Sequence, residues 1–548
     1  MRLTRRGFVL GAAGVTLALP TGYVAARKLR HHGGTIDPDP KGDFPAPPRQ
    51  ASCAEPGNAI VAENCRAGTP GWRLSRVDGQ IEGLFDASSV NRGQEIALRV
   101  RCADPEYHVE VYRTGYYDDV GARLVARTAS RRATAQPDVR TDARTGLTSA
   151  SGWSVSERFD TTSWPTGVYL AKLVSSGGSD DHAIVVVRDD DTPSDLLVLV
   201  SDTTFLAYNY WGGPSLYSGG PDDPRAVRVS FDRPYGNVRV NQADWYLRAD
   251  HCVARFLESD GYDVSYAAVS DLHTGADLGK RQAWVSGIHN EYWSMEMRRA
   301  FEAARDRGTG LVFMGSNTGY WRTRFEPDPW TDQPNRVMVC FKESELSLTT
   351  LGAGPTSDPV APTGLWRDPN GSNEPENAVV GVMYAGQNLR GYSSLVVPAA
   401  AAADPLWRDA GLKGEGARIG RELVGWEWDA VFDNGHSPKS LRMIAETPVN
   451  GQLMSAVGKP GEGDATAAVT AYTAASGAHV FSTGSNLFAW GLDREGRRAY
   501  DPGKPQGEPD RRIRQLMTNV LGQMGCTPRS PADDLTIEVR SEGLRLDG

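Results

Sequence analysis

Leu196-Leu197-Val198-Leu199-Val200 is an unbroken apolar run set directly behind the punctuation Asp189-Asp190-Asp191-Thr192-Pro193. A strand that is apolar at every position, not at alternate ones, has both faces covered, as a parallel sheet flanked by helices requires. The downstream sequence keeps to that plan. The segment from Asp244 to Glu258 carries Val253, Phe256 and Leu257 on one helical face and meets Gly261 at its end. Tyr262 to Val269 reads as the next strand and Ala283 to Ile288 as another. Ser294 to Arg307 keeps helical spacing in Met297, Ala300, Phe301 and Ala304, with Ser294 as N-cap and Gly308 as the stop. Strand Gly310 to Met314 completes a β-α-β-α-β alternation, which predicts a doubly wound sheet.

Beyond it, positions 326 to 420 loosen into Pro-, Gly- and Asp-rich sequence broken by a strand-like stretch, Arg336 to Lys342, and read as a loop-bearing insertion. Periodicity returns with Ala467 to Tyr472, His479 to Ser482 and a last helix striped by Ile513, Leu516, Met517, Val520 and Leu521. The α/β domain is therefore expected over 194–527, with a tail at 528–548. Upstream, residues 56–190 show period-two runs such as Ile96, Leu98 and Val100. Trp72 to Arg76, Ile81 to Phe85, Tyr107 to Tyr112, Gly167 to Val174 and Ala183 to Val187 are further strand candidates, which predicts an immunoglobulin-like β-sandwich. Residues 31–55 read as a linker. The expected class is thus α/β plus all-β.

The chain has 548 residues, 40% hydrophobic and 23% charged, enough to bury two or three cores and too apolar for a disordered chain. Residues 1–30 hold Arg2, Arg5, Arg6, Arg27, Lys28 and Arg30 and no acid; without those six cations the net charge of −9 becomes −15. So acidic a body is no partner for phosphate backbones. Arg5-Arg6 ahead of an Ala/Gly-rich apolar run, with Val24-Ala25-Ala26 for cleavage, resembles a twin-arginine export signal; an ordinary secretory leader or a membrane anchor are the alternatives. The expected location is periplasmic, cell-envelope or extracellular, with membrane contact through this segment alone. Proteins on that route fold before crossing, often around a cofactor. Six cysteines suit one or two disulfides, and Cys53 and Cys65 can close a short loop. No C-x-x-C and no H-E-x-x-H occurs, so a metal here would lean on oxygen ligands.

Ligands of doubly wound sheets bind past the carboxyl ends of the strands. There the sequence places His289-Asn290-Glu291-Tyr292-Trp293, in which His289 and Glu291 share one face of an extended segment. The plainer alternative has Glu291 capping the next helix and His289 bonding a loop carbonyl. Gly315-Ser316-Asn317 and Ala207-Tyr208-Asn209-Tyr210 stand at neighbouring strand ends, and Gly425-Trp426-Glu427-Trp428-Asp429 sets a carboxylate between indoles, either an acid with a raised pKa or a surface hairpin. No G-x-S-x-G elbow exists, and the turn where class I glutamine amidotransferases keep a cysteine holds His289-Asn290-Glu291.

Gly71-Trp72, Ser89 to Gly93, Tyr112-Arg113-Thr114-Gly115-Tyr116-Tyr117, Trp164 to Tyr169, Ala207-Tyr208-Asn209, His289 to Ser294 and Gly315-Ser316-Asn317 together resemble the C-terminal-domain family of the N,N-dimethylformamidase large (β) subunit. The resemblance covers about 56 to 527 and implies a class I glutamine amidotransferase-like α/β domain. It also implies hydrolysis of a small-molecule amide at a mononuclear iron held by two tyrosinates and one glutamate. Glu291 matches the glutamate. Tyr208 matches one tyrosine, with Tyr210 as its rival. Tyr169 matches the other, although it shares a strand face with Ala171 and Leu173, as a core tyrosine would. His289, Asn317 and Glu427 would surround the metal as catalytic groups. Asn290 replaces the family's acidic residue, and dimethylformamidase itself is cytosolic. A homo-oligomer or an unidentified small subunit are the open assembly states. A non-catalytic carbohydrate- or envelope-binding protein on an amidotransferase-like scaffold, or a scaffold with an assembly role, are the competing readings.

Overall fold

The structure is a computed structural model that describes residues 53–217, 225–235, 246–342, 360, 362–389, 391–412, 416–496, 509–531 and 535–536. The expected export signal, nearly all of the expected linker, part of the insertion and most of the tail lie outside them.

Two β-sheets share one core in the N-terminal part. Ile81–Phe85, Glu95–Cys102 and Glu157–Asp160 form the smaller. The larger runs Ser89–Asn91, Asp180–Arg188, Gly167–Ser175, Glu106–Thr114 and Ala122–Arg127 in that spatial order. Alternation explains the burial: Ile96, Leu98 and Val100 point inward against Val109, Val111 and Leu173. Trp72 to Arg76 forms no strand; Trp72 instead buries its ring and donates Nε1 to the Val120 carbonyl at 2.9 Å. Helix α1, Ala59–Asn64, is tethered by the Cys53–Cys65 disulfide, the one disulfide among the described residues.

The main sheet has nine strands. In chain order they are β1 (Leu196–Val200), β2 (Val264–Ala268), β3 (Ala283–Ser286), β4 (Gly310–Phe313), β5 (Met383–Asn388), β6 (Glu427–Ala430), β7 (Arg442–Met454), β8 (Pro460–Thr473) and β9 (His479–Ser482). Their spatial order is β2-β1-β3-β4-β9-β8-β7-β5-β6. The first five are parallel and the rest antiparallel. Crossovers carry α2 (Asp202–Tyr208), α3 (Asp250–Ser259) and α4 (Met295–Asp306), and α5 (Arg511–Gln523) follows the sheet. Ser294 caps α4 by accepting from Met297 N at 3.2 Å. The insertion differs from expectation: it carries β5 of the main sheet, and β6, β7 and β8, which follow it, complete the antiparallel half. β5 pairs with β6 and β7, which lie tens of residues further along the chain and which local periodicity does not encode, whereas β7 and β8 form a hairpin. Among the described residues no helix is long and apolar enough to cross a membrane.

Where the N-terminal strands meet α3, Arg113 donates to Glu258 Oε1 at 2.8 Å and to the Tyr117 hydroxyl at 3.0 Å, and Tyr266 also donates to Glu258. Both charges are fully buried. A Cβ on Gly115 would stand 2.2 Å from Glu258 Oε2, and one on Gly167 2.7 Å from Arg113 Nε. The Tyr112-to-Tyr117 and Trp164-to-Tyr169 motifs therefore build this junction.

Candidate active site

In the parallel half, β2 and β3 leave β1 on opposite sides, so the strand order reverses at the β1/β3 boundary, the position where such sheets open a crevice. Asp250, at the start of α3, spans it by accepting from Ser201 N at 2.9 Å and Ile288 N at 2.8 Å. Burial raises its carboxyl to about 6 against those two N–H groups. Just beyond lie the residues singled out in the sequence.

Glu291 is 1% exposed and is the hub. Tyr208, the last residue of α2, donates to its Oε2 at 3.0 Å. Oε1 receives the Tyr217 hydroxyl at 2.7 Å and the Trp321 indole N–H at 2.9 Å. The two phenol rings stack with centroids 4.2 Å apart. His289 Nε2 lies 3.6 Å from Glu291 Oε2 and 2.9 Å from Glu427 Oε2. Asn486 Nδ2 donates to the same Glu427 oxygen at 3.0 Å, with Asn317 Nδ2 at 3.4 Å. Asn317 adopts φ +58° in the turn after β4, and its N–H donates to Asp429 at 2.8 Å. Gly315 is required there, since a Cβ would fall 1.3 Å from the Ile288 carbonyl oxygen. Tyr320 and Tyr384 meet edge-on at 5.2 Å beside the two glutamates.

Five of the six predicted residues, Glu291, Tyr208, His289, Asn317 and Glu427, thus stand in one cluster. Glu291 belongs to it and leaves the capping of α4 to Ser294, and the His289 ring faces Glu427 and Glu291. Tyr169 is the correction. It lies in the N-terminal core, stacked on Trp164 with centroids 4.8 Å apart, and donates its hydroxyl to the Pro165 carbonyl. Its charged neighbours are Arg113, Glu63 and Arg123, none of them in the Glu291 cluster. The second tyrosine beside Tyr208 and Glu291 is Tyr217. The sequence signal for Tyr217 is Gly212-Gly213-Pro214, which turns the chain so that Leu216 N bonds the Ala207 carbonyl at 3.0 Å and lays Tyr217 over Tyr208. Lys342 was also missed: it is buried, with Nζ 3.4 Å from the Tyr217 ring centroid and 2.7 Å from the Tyr292 hydroxyl.

Charge explains the balance of this cluster. Burial raises Glu291, while His289 and Lys342 oppose the rise. Burial pulls His289 down, but Glu427 and Glu291 outweigh it and hold the imidazolium above its ordinary range. Burial lowers Lys342 to about 7 against the pull of Glu291, and raises Asp429 to about 7. Both phenols stay well above 10, through burial first and the Glu291 charge second. Among the described residues no three His, Cys, Asp or Glu side chains group closely enough to hold a metal. The set here is different: two phenols and a carboxylate converge, and such oxygens suit a hard cation. Three buried acids, Glu291, Glu427 and Asp429, against His289 and Lys342 leave negative charge that a cation would offset.

The chain belongs to the family described as N,N-dimethylformamidase beta subunit-like, C-terminal, whose model matches residues 108–502. That match spans β1 to β9 and every residue of the cluster. The comparison with curated proteins returns no match. One solved chain, a Paenibacillus sp. cycloisomaltooligosaccharide glucanotransferase complexed with cycloisomaltoheptaose, is similar at 8% identity over 50% of this chain, with a TM-score of 0.14. The present chain spans 35% of that one.

Proposed function

We propose that this protein is an exported, metal-dependent hydrolase of amide or related C–N bonds. The observation that carries the reading is the convergence of Tyr208 and Tyr217 on the two oxygens of buried Glu291, beside the His289–Glu427 pair. Tyr208, Tyr217 and Glu291 would hold one hard cation, iron by the family resemblance. When bound, such an ion supplies Lewis acidity toward an amide carbonyl and toward water. The remaining work falls to the chain. An amide nitrogen departs only once protonated, and His289, kept cationic by Glu427, is the group placed to give that proton. Asn317 can turn its amide from the long 3.4 Å contact with Glu427 to a developing oxyanion. Tyr320, Tyr384 and Trp426 supply apolar walls for a small substrate and keep water out.

In the same reading the parallel half is an amidotransferase-like scaffold with His289 to Glu291 at the nucleophile turn, the N-terminal sheets are an immunoglobulin-like domain over 56–190, and the leader is a twin-arginine signal. The beta-subunit part of the family's description raises a small subunit as partner. The test is amine release from small N-alkyl amides by iron-loaded protein. Turnover that falls by about 10²-fold or more in His289→Ala supports the proposal; no release by metal-bearing protein from any such amide overturns it.

A further inference from the structure

Lys342 stands behind the phenol pair, 4% exposed, in the stretch after the strand Val337–Val339. Its Nζ donates to the Tyr292 hydroxyl at 2.7 Å; Tyr292 donates to the Tyr217 hydroxyl at 2.7 Å; Tyr217 donates to Glu291 Oε1 at 2.7 Å. The same Nζ sits 3.4 Å from the Tyr217 ring centroid and 4.7 Å from that of Trp321. In its protonated form Lys342 has three donors and no acceptor, and a phenol has one hydrogen. With Lys342 donating, Tyr292 spends its hydrogen on Tyr217, and Tyr217 spends its own on Glu291. The direction of the chain is set from its cationic end. Once Tyr217 gives up its hydrogen to bind a cation, the Tyr292 O–H still points at the phenolate oxygen.

We propose that Lys342 and Tyr292 are positioning residues for Tyr217: Lys342 fixes which way the Tyr292 hydrogen points, and Tyr292 steadies the Tyr217 phenolate in the cation-holding set. This rests on the reading of Tyr208, Tyr217 and Glu291 as that set. A hydrogen bond to an ionised acceptor is roughly twice as strong as a neutral one, so both affinity and ligand electronics should register its loss.

The experiment loads the full chain with ferric iron and records binding and the phenolate charge-transfer band in the parent, Tyr292→Phe, Lys342→Met and Lys342→Arg. We expect Tyr292→Phe and Lys342→Met to bind about 10- to 100-fold more weakly. Their bands should move to longer wavelength, because an unassisted phenolate gives up charge more readily. Lys342→Arg, also a pure donor, should restore part of both. Tyr292→Phe deletes one oxygen and guards against a folding defect in the lysine variants. A parent that takes up no iron and shows no band overturns the donor set, and this inference with it. A parent that shows both, with variants whose band stays put, overturns the role of Lys342 and Tyr292 alone, even if affinity falls.

Discussion

The Tyr217 hydroxyl lies 2.7 Å from Glu291 Oε1 across a sequence separation of 74 residues, while Tyr208 takes the other oxygen of the same carboxylate. One buried acid thus receives two phenols from opposite sides of a glycine-proline turn. Removing either oxygen should matter, and removing the third candidate tyrosine should not. Tyr217→Phe and Tyr208→Phe are each expected to lose about tenfold or more in metal affinity, whereas Tyr169→Phe keeps the parent value. Equilibrium metal titration of the three variants checks this.

The junction of the N-terminal sheets with α3 depends on a pair of fully buried charges, Arg113 and Glu258. Breaking such a pair leaves one charge without compensation and costs about 3 to 5 kcal/mol. Arg113→Met should therefore lower the melting temperature markedly while Arg131→Met, on an arginine with 56% of its side chain exposed, changes it little. Differential scanning calorimetry separates the two.

Asp202 lines a small cavity between the N-terminal sheets and α2, where burial raises its carboxyl to about 6 from 3.8, against hydrogen bonds from Ser270. The folded protein then holds a proton that the unfolded chain has released, so stability declines as pH rises from about 4 to 6. The penalty reaches about 3 kcal/mol above pH 6. Asp202→Asn should raise the melting temperature at pH 7.5 and leave it nearly unchanged at pH 3.5. Thermal melts across that range read the sign.

The disulfide between Cys53 and Cys65 ties down α1, whose Glu63 accepts from Tyr117 and whose Asn64 reaches Glu258. Replacing both cysteines by serine should cost about 2 to 4 kcal/mol. The parent should show the same loss in reductant and the double variant none, by denaturant unfolding.

Legibility followed the range of the interactions. Leu196 to Val200 announced a buried parallel strand because every residue is apolar, and Ser294 announced a helix start because its hydroxyl has a local partner. His289 and Glu291 were readable from their two-residue spacing, which survives in the loop after β3. Tyr217 was not, because it lies in an irregular turn whose course is set by hydrogen bonds to residues outside it, from Leu216 N to the Ala207 carbonyl, from Ala226 N to the Ser215 carbonyl and from Arg233 to the Gly213 and Pro214 carbonyls. Tyr169 misled for the converse reason: a tyrosine in a well-formed strand finds a core partner, here Trp164 and the Pro165 carbonyl. Strands β5 and β6 escaped notice because they are short and pair with each other across tens of residues, and β7 because Pro448 and Gly451 interrupt its alternation.

Everything proposed for the site depends on oxygens of Tyr208, Tyr217 and Glu291 holding one hard cation. Elemental analysis with visible absorbance, on the parent protein purified from its native host and on Glu291→Ala prepared in the same way, puts this to the sharpest test. The parent should carry about one iron per chain and a phenolate charge-transfer band, both lost in Glu291→Ala. Equal metal content and equal colour in the two proteins, or neither in the parent, would contradict it.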